Sequence, residues 1–396
     1  MSLAAVSPPG NPATSFVLRC LLDMPLSPPA TEISDSIVDL ARHHMIAGLV
    51  LERIASLKGT PRTDDLAEKL RKPAQRTATK SLRILDAWNR LYVDHLKPSG
   101  LRHLVVKGIA LDSRYRGSIG ARGCRDLDVL LSLRDIDVLL PQLLEDGYNL
   151  TTTFSRPSDR VSLSDHMRIL TRLSPEVEVV SPQGVLIELH SSLDLSGTAF
   201  PTDQWLGRAV QASIGSLSIP TPPTADHFVY LCYHHSRHEW SRLHWLSDLH
   251  LLMTHPSFDP EEVRAQARVA GLSRLVTACM ELPDRIRDSL ENQPEVPGNS
   301  MARDLTALCL NYARPAITPP EQGRLSATTP PLERFKSLSW IFCLDWRIRD
   351  RRRDRLRLIM NALRPKLADY QTWPLALAWT PIYWIYRPIR FVLRLF

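Results

Sequence analysis

The stretch Leu104-Val-Val-Lys107-Gly108-Ile-Ala-Leu111, followed by Arg122-Gly-Cys-Arg-Asp126-Leu-Asp128-Val-Leu-Leu131, decides the fold. Its apolar runs, 104–106 and 127–131, are short and bounded by turn residues, which is the pattern of buried strands. Side chains alternate faces along a strand, so Asp126 and Asp128 point the same way while Leu127 points into the core. Two carboxylates that close repel each other unless a cation lies between them. Hard divalent cations such as Mg2+ or Mn2+ take oxygen ligands of this kind and carry substrate phosphates with them. The Lys107-Gly108 turn lies eighteen positions before the first acid and offers backbone N–H groups to those phosphates. The expected chemistry is nucleotidyl transfer.

A second pair, Asp135-Ile-Asp137, follows Leu133-Arg134 at a helix start, where acids complement the helix dipole. Lys107 and Arg122 are candidate phosphate ligands. Lys107 ends a buried strand, where a cation needs a partner. Arg122 has an alternative role, pairing with Asp126 to tie down the loop. Arg125 falls on the opposite face from Asp126 and reads as structural. Nucleotidyl transfer needs in-line positioning and neutralised phosphate charge, which two metals roughly 3.5–4 Å apart supply. Asp126 and Asp128 would hold both ions, and a third acid would help activate the acceptor hydroxyl. Glu188 is the choice for that acid, because an unpaired carboxylate is costly on the apolar strand Val185-Leu-Ile-Glu188-Leu-His190. His190 shares its face. Glu176 and Glu178 compete for the role, alternating with valines as on a half-exposed edge.

These motifs resemble the polymerase-beta-type nucleotidyltransferase superfamily. More narrowly, they are similar to a bacterial family known only as nucleotidyltransferase family proteins. The shared pattern is an apolar strand, Lys107-Gly108-x-Ala110-Leu111, Tyr115, and Arg122 four residues before Asp126-x-Asp128. The segment 185–190 resembles the strand that bears the third acid and a His in that family. Tyr230 through Leu251, with His234 and Trp245-Leu-Ser-Asp248-Leu, resembles its helical segment after the sheet. The resemblance covers about residues 100 to 255 and implies a mixed α/β sheet flanked by helices. It also implies an NTP donor and reinforces Glu188 as third acid, with His190 beside it at the nucleotide. Ile109 departs from the Gly-Ser or Gly-Gly turn of the wider superfamily, which keeps backbone donors and removes a hydroxyl. Members of that family recur beside genes for peptide tailoring, such as lasso peptides, and for surface polysaccharides. The implied acceptor is therefore a peptide, sugar or other small molecule. A toxin-like or antibiotic-modifying transferase of the same superfamily is the nearest alternative.

At 396 residues, with 44% hydrophobic and 23% charged content, the chain can bury a sizeable core. Six scattered cysteines without a Cys-x-x-Cys pair argue against a disulfide scaffold and for a reducing, cytoplasmic setting. The N-terminus lacks the basic and apolar regions of a signal peptide. P-loop, Rossmann and Gly-x-Ser-x-Gly motifs are absent from the sequence.

Five regions follow: a leader at 1–12, helices over 13–99, a transferase sheet over 100–200, a helical region over 201–330, and a basic-aromatic segment over 331–396. Helical spacing predicts helices at 15–24, 33–57 and 64–97. The sheet should hold strands at 104–106, 127–131, 148–154, 167–173, 177–180 and 185–190, with helices at 108–115 and 134–146. Strands become rare after Pro201. Helices follow over 224–253 as one or a pair, then at 260–290, 301–313 and 332–363, with proline clusters at 220–223 and 315–331 as punctuation.

Histidines 227, 234 and 238 fall on one helix face, with His235 and His244 nearby. Without a His-Glu-x-x-His motif they read as core residues or as a wall of the substrate cleft rather than zinc ligands. Asp248 reads as a buried hydrogen-bonded anchor. Residues 345–357 carry seven Arg against three Asp, read as a solvated helix with internal ion pairs, with a membrane or partner surface as the alternative. Only Trp346 offers an aromatic ring there, so nucleic acid is not an expected partner. From Tyr370 to Tyr386 seventeen residues carry no formal charge, and three Arg follow. This mixture suits either a peripheral membrane contact through 370–396 or packing of its Trp residues on the helical region. The first option motivates a different reading, a membrane-associated scaffold with a degenerate transferase domain.

Overall fold

A computed structural model describes residues 11–57, 59–151, 163–194, 196–293, 299–313 and 345–393, except 374 and 376. Four helices lead the chain: α1 (Pro12–Leu21), α2 (Ser34–His43), α3 (Ala47–Ile54) and α4 (Pro61–Arg90). The helix expected over 33–57 is two helices, because Met45 takes a left-handed φ of 56° and turns the chain. The leader also ends sooner than expected, since Asn11 caps α1 by accepting from the amides of Ala13 and Thr14. Residues 1–10 lie outside the described residues.

A five-stranded mixed sheet follows, in the order β1-β2-β5-β4-β3. Its strands are β1 (His103–Val105), β2 (Leu127–Leu131), β3 (Asn149–Leu150), β4 (Glu176–Val180) and β5 (Leu186–His190). β2 runs parallel to β5, and the other neighbours pair antiparallel. The helices α5 (Ile109–Leu111), α6 (Leu133–Glu145) and α7 (Leu163–Leu173) connect the strands. The strand expected over 167–173 is instead part of α7. Ile169 and Leu173, four apart, join one apolar cluster, and Met167 and Leu170, three apart, join another, which is the spacing of a helix. The expected strand 148–154 keeps only 149–150, and residues 152–154 lie outside the described residues.

Sheet parity separates two cores. Val105, Val129, Ile187 and Leu189 point to one side, where they pack with Trp88 of α4 and with Ile136 and Leu140 of α6. Leu104, Val106 and Leu130 point to the other side, into a larger core shared with the helices before and after the sheet.

After α8 (Thr202–Gly207) the chain forms a hairpin, β6 (Val210–Ile214) and β7 (Leu217–Thr221), joined by Gly215-Ser216. Strands are rare among the described residues after Pro201, as expected, and this hairpin was not among the strands placed from sequence. A two-residue Gly-Ser turn between short alternating runs was the available signal. Then come α9 (Thr224–Arg237), α10 (His244–Thr254), α11 (Pro260–Ala270), α12 (Ser273–Leu290) and α13 (Ser300–Tyr312). The helix expected over 260–290 breaks at Gly271, whose carbonyl accepts from the amide of Asp350. The proline cluster at 315–331 and the first part of the expected helix 332–363 lie outside the described residues. The chain ends with α14 (Arg352–Leu363), α15 (Leu367–Thr372) and α16 (Tyr383–Leu393).

The Arg-rich segment is not the free solvated helix expected from its sequence. Arg349 is fully buried, and its Nη2 lies 3.2 Å from both Asp194 Oδ2 and the Tyr233 hydroxyl. Asp345 is buried against Arg237 at 3.5 Å. Asp350 accepts from the amides of Ser273 and Arg274 at the start of α12. The acids that the sequence reading paired locally instead pin the segment to the helical core.

The loop carrying Arg122 to Asp126 is clamped by the N-terminal helices. The Leu49 amide donates to the Ala121 carbonyl at 3.1 Å, and the Gly123 amide donates to the Met45 carbonyl at 2.9 Å. A Cβ at Gly48 would lie 2.6 Å from the Ala121 Cα and carbonyl oxygen, so only glycine allows this approach. Gly48→Ala is expected to destabilise the protein by about 1–3 kcal/mol through this overlap. Urea unfolding of the variant, compared with the same substitution at solvent-open Gly207, checks it; equal small losses would show that the clamp gives way freely.

Candidate active site

Strand register builds the acidic face. Asp128 of β2 pairs with Glu188 of β5, Leu130 pairs with His190, and Glu188 faces Glu178 of β4. Because the two neighbouring strands are in phase, Asp128, Glu188, His190, Glu176 and Glu178 share one side of the sheet. Asp126 precedes β2 on the same side and is half-buried, whereas Arg125 is exposed. Single ligand atoms of Asp128, Glu188 and His190 all lie within 4.8 Å of one another. No other group of three His, Cys, Asp or Glu among the described residues is arranged to hold a metal ion.

The charge on this face is only partly balanced. Asp128 is almost fully buried and has the Lys107 Nζ at 2.6 Å and the His190 Nε2 at 3.1 Å. The same His190 nitrogen is 3.3 Å from Glu188, and its Nδ1 is 3.6 Å from Glu176. Burial works against the charged Asp128, yet Lys107 and His190 outweigh it and hold this carboxyl below the usual range. Burial also works against a charged His190, but hydrogen bonds to Asp128 and Glu188 outweigh it and raise the imidazole to about 10. Glu188 is left with the deficit: burial first, then repulsion from Asp128, lifts its carboxyl to about 7. Asp126 is raised for the same two reasons. A face that already holds carboxylates against their charge has the donor set of a site for a hard cation.

Gly108 brings Lys107 to this point. It has φ +57°, and a Cβ there would meet the Cys124 Cβ at 3.1 Å, beside the loop that carries the acids. The chain turns at Gly108 directly from β1 into α5, with the amides of Leu111 and Asp112 returning to the Gly108 carbonyl. The buried Ile109 faces the hydrophobic core on the far side of the sheet.

Helix α9 forms the opposite wall. His234 Nε2 lies 3.2 Å from the Lys107 Nζ, and Tyr230 is near enough for its hydroxyl to be affected by the charges of Lys107, Asp128 and Glu188. His227 Nε2 sits 2.9 Å from the Val106 carbonyl, as an N–H donor that fixes the end of β1 to α9. His234, His235 and His238 cluster around Trp245. The histidines thus divide between core packing and the wall beside Lys107.

Arg122 is placed away from the acids. Its Nε and Nη2 donate to the two carboxylate oxygens of Asp248, both at 2.8 Å, in a buried bidentate pair. The Arg122–Asp126 alternative is not the arrangement adopted, and Asp248 is the buried anchor it was read to be. Breaking such a pair on one side costs about 3–5 kcal/mol, because a charge is left buried without a partner. Sequence reasoning missed Asp112, which sits one turn beyond Gly108 and is buried beside Arg116 at 3.4 Å. An acid within the apolar run after the Lys-Gly turn was its only signal.

A family model described as an uncharacterised nucleotidyltransferase matches residues 32–288, well over half of the chain. No curated protein matches the chain.

Asp112 generates a test of this electrostatic frame. Burial raises its carboxyl to about 7, against the lowering influence of Arg122 and Arg116. The unfolded chain releases this proton near pH 4, well before the folded chain does, so the group costs stability increasingly as pH rises from about 4 to 7. Asp112→Asn should therefore lose less unfolding free energy than the wild type between these limits, measured by urea titration at each pH. Parallel profiles would show that Asp112 is ionised in the folded protein throughout.

Proposed function

The chain belongs to this nucleotidyltransferase family, and we propose that it moves an NMP group from an NTP to a hydroxyl or phosphate of a peptide, sugar or other small acceptor. The convergence of Asp128, Glu188 and His190 on one buried point supports this reading. Asp126, Asp128 and Glu188 would hold Mg2+ or Mn2+, a fit supported by carboxylates that burial and mutual repulsion keep short of counter-charge. When bound, such an ion would neutralise phosphate charge and lower the barrier to attack.

The protein's own groups have separable roles in this proposal. Lys107, the one Lys or Arg side chain paired with Asp128 among the described residues, would turn its ammonium to the phosphates of the donor. Gly108 fixes the chain direction that puts Lys107 there. His190, hydrogen-bonded to both carboxylates, would orient Asp128 and Glu188 and steady the bound nucleotide. Glu188, with its proton affinity raised, suits acceptance of the proton from an attacking hydroxyl. Arg122 would act through Asp248, positioning the loop that ends in Asp126 rather than meeting phosphate itself.

Titration calorimetry of ATP, CTP, GTP and UTP with Mg2+ is the test. One nucleotide should bind the wild type, and Asp126→Asn/Asp128→Asn should lose that binding. Asp128→Asn alone should lower turnover on the order of 100-fold or more. Full turnover in Asp128→Asn would reject the assignment.

A further inference from the structure

We propose that α14 and the segment through α16 form a docking surface for an anionic lipid bilayer, on which the protein lies without crossing it. Leu356, Ile359, Met360 and Leu363 recur at helical spacing along α14, and all four are exposed, Leu356 by 59% and Met360 by 58%. A stripe with this period ordinarily faces a core. Here the buried side of α14 is formed by Asp354 and Leu358, and the apolar stripe faces outward. Trp373, Trp379 and Trp384 continue the exposed apolar surface, followed by Ile385 and Ile389, which are 69% and 52% exposed.

This surface belongs to a docked segment. Tyr370 and Tyr383 are buried against Ile169 of α7. The buried Asp369 pairs with Arg387 at 3.2 Å and accepts from the Lys366 amide. α14 packs on α16, so the two exposed stripes are on neighbouring elements. The other side of the segment is thereby held to the protein, while its tryptophans and branched aliphatics meet solvent.

Charge identifies the occupant. Residues 351–396 hold ten Lys and Arg against two Asp, a net +8. The whole chain carries +7, so residues 1–350 together carry −1. Both acids of the segment, Asp354 and Asp369, are buried. Every exposed side-chain charge on the described part of this segment is therefore positive, including Arg352, Arg353, Arg357 and Arg364. Exposed Trp and aliphatic side chains rimmed by Arg, with no exposed acid, complement the apolar edge and negative surface of an anionic leaflet. A self-associating apolar face would not collect all of the chain's excess positive charge, since two copies would repel. No helix among the described residues is long and apolar enough to cross a membrane, which leaves an interfacial contact.

Co-sedimentation of the full chain with vesicles tests this. Vesicles of phosphatidylcholine containing phosphatidylglycerol should pellet the protein, and pure phosphatidylcholine vesicles should do so far less. Trp379→Ser/Trp384→Ser/Ile385→Ser should weaken binding by about tenfold or more. Arg352→Gln/Arg353→Gln/Arg357→Gln should weaken it on the order of 100-fold and reduce its salt dependence. All six positions are exposed, so circular dichroism and thermal midpoint should match the wild type. Equal binding to both vesicle types, or unaltered binding by either folded variant, would overturn the proposal. So would self-association of the wild type that the tryptophan variant abolishes, or preference for single-stranded RNA over the anionic vesicle.

Discussion

The structure depends on a face of the central sheet that concentrates negative charge where water is scarce. Asp128 is buried with Lys107 at 2.6 Å, and Glu188 and His190 meet it from the parallel neighbour strand. Burying a carboxylate is tolerable only when charge and hydrogen bonds offset the lost hydration. Lys107 and His190 supply that offset for Asp128 but not for Asp126 or Glu188, whose carboxyls are raised. The face thus has one acid satisfied and two left short of counter-charge, with Asp128, Glu188 and His190 grouped as a possible metal-holding set.

The rest of the protein holds this face in register. The N-terminal helices close on the loop before β2 through Gly48 and Met45, and α10 reaches the same loop through Asp248 and Arg122. Helix α9 is bonded to the end of β1 by His227 and to Lys107 by His234. Helices from both ends of the family-matched region therefore converge on the acidic loop. The helical parts are not separate appendages: they brace the Lys107-Gly108 turn and the Asp126-Leu127-Asp128 strand entrance beyond the short β1–β2 ladder and the Lys107–Asp128 pair.

The C-terminal segment follows a different logic. Its Asp residues and Arg349 are spent inward, on Ser273, Arg237, Asp194 and Tyr233, while Arg352, Arg353, Arg357 and Arg364 and three of its Trp residues, Trp373, Trp379 and Trp384, are exposed. Ion pairs anchor the segment and apolar groups are displayed, the reverse of the usual division between core and surface. Charge segregation within the chain, with +8 in 351–396 against −1 before it, gives this inversion a physical direction.

Much of this was legible in the sequence, because it rests on local periodicity. Alternation placed Asp126 and Asp128 on one side of Leu127, and the apolar run through Leu189 placed Glu188 and His190 on one side of a strand. The exact span of β2 and the helix pair after Pro223 follow from the same regularities of side-chain spacing. Helix α7 was misread as a strand for want of such regularity: residues 167–173 carry apolar groups at intervals that fit either period. The partner of Arg122 was not legible, since Asp248 lies 126 positions away and no local pattern encodes a contact of that span. Nor was the outward stripe of α14, whose spacing is that of a core-facing helix. Sequence by itself determined which residues share a face of each element, because covalent geometry fixes that. Tertiary structure decided which buried charge meets which, and which apolar face is left uncovered, because those depend on how distant elements compete for the same interior.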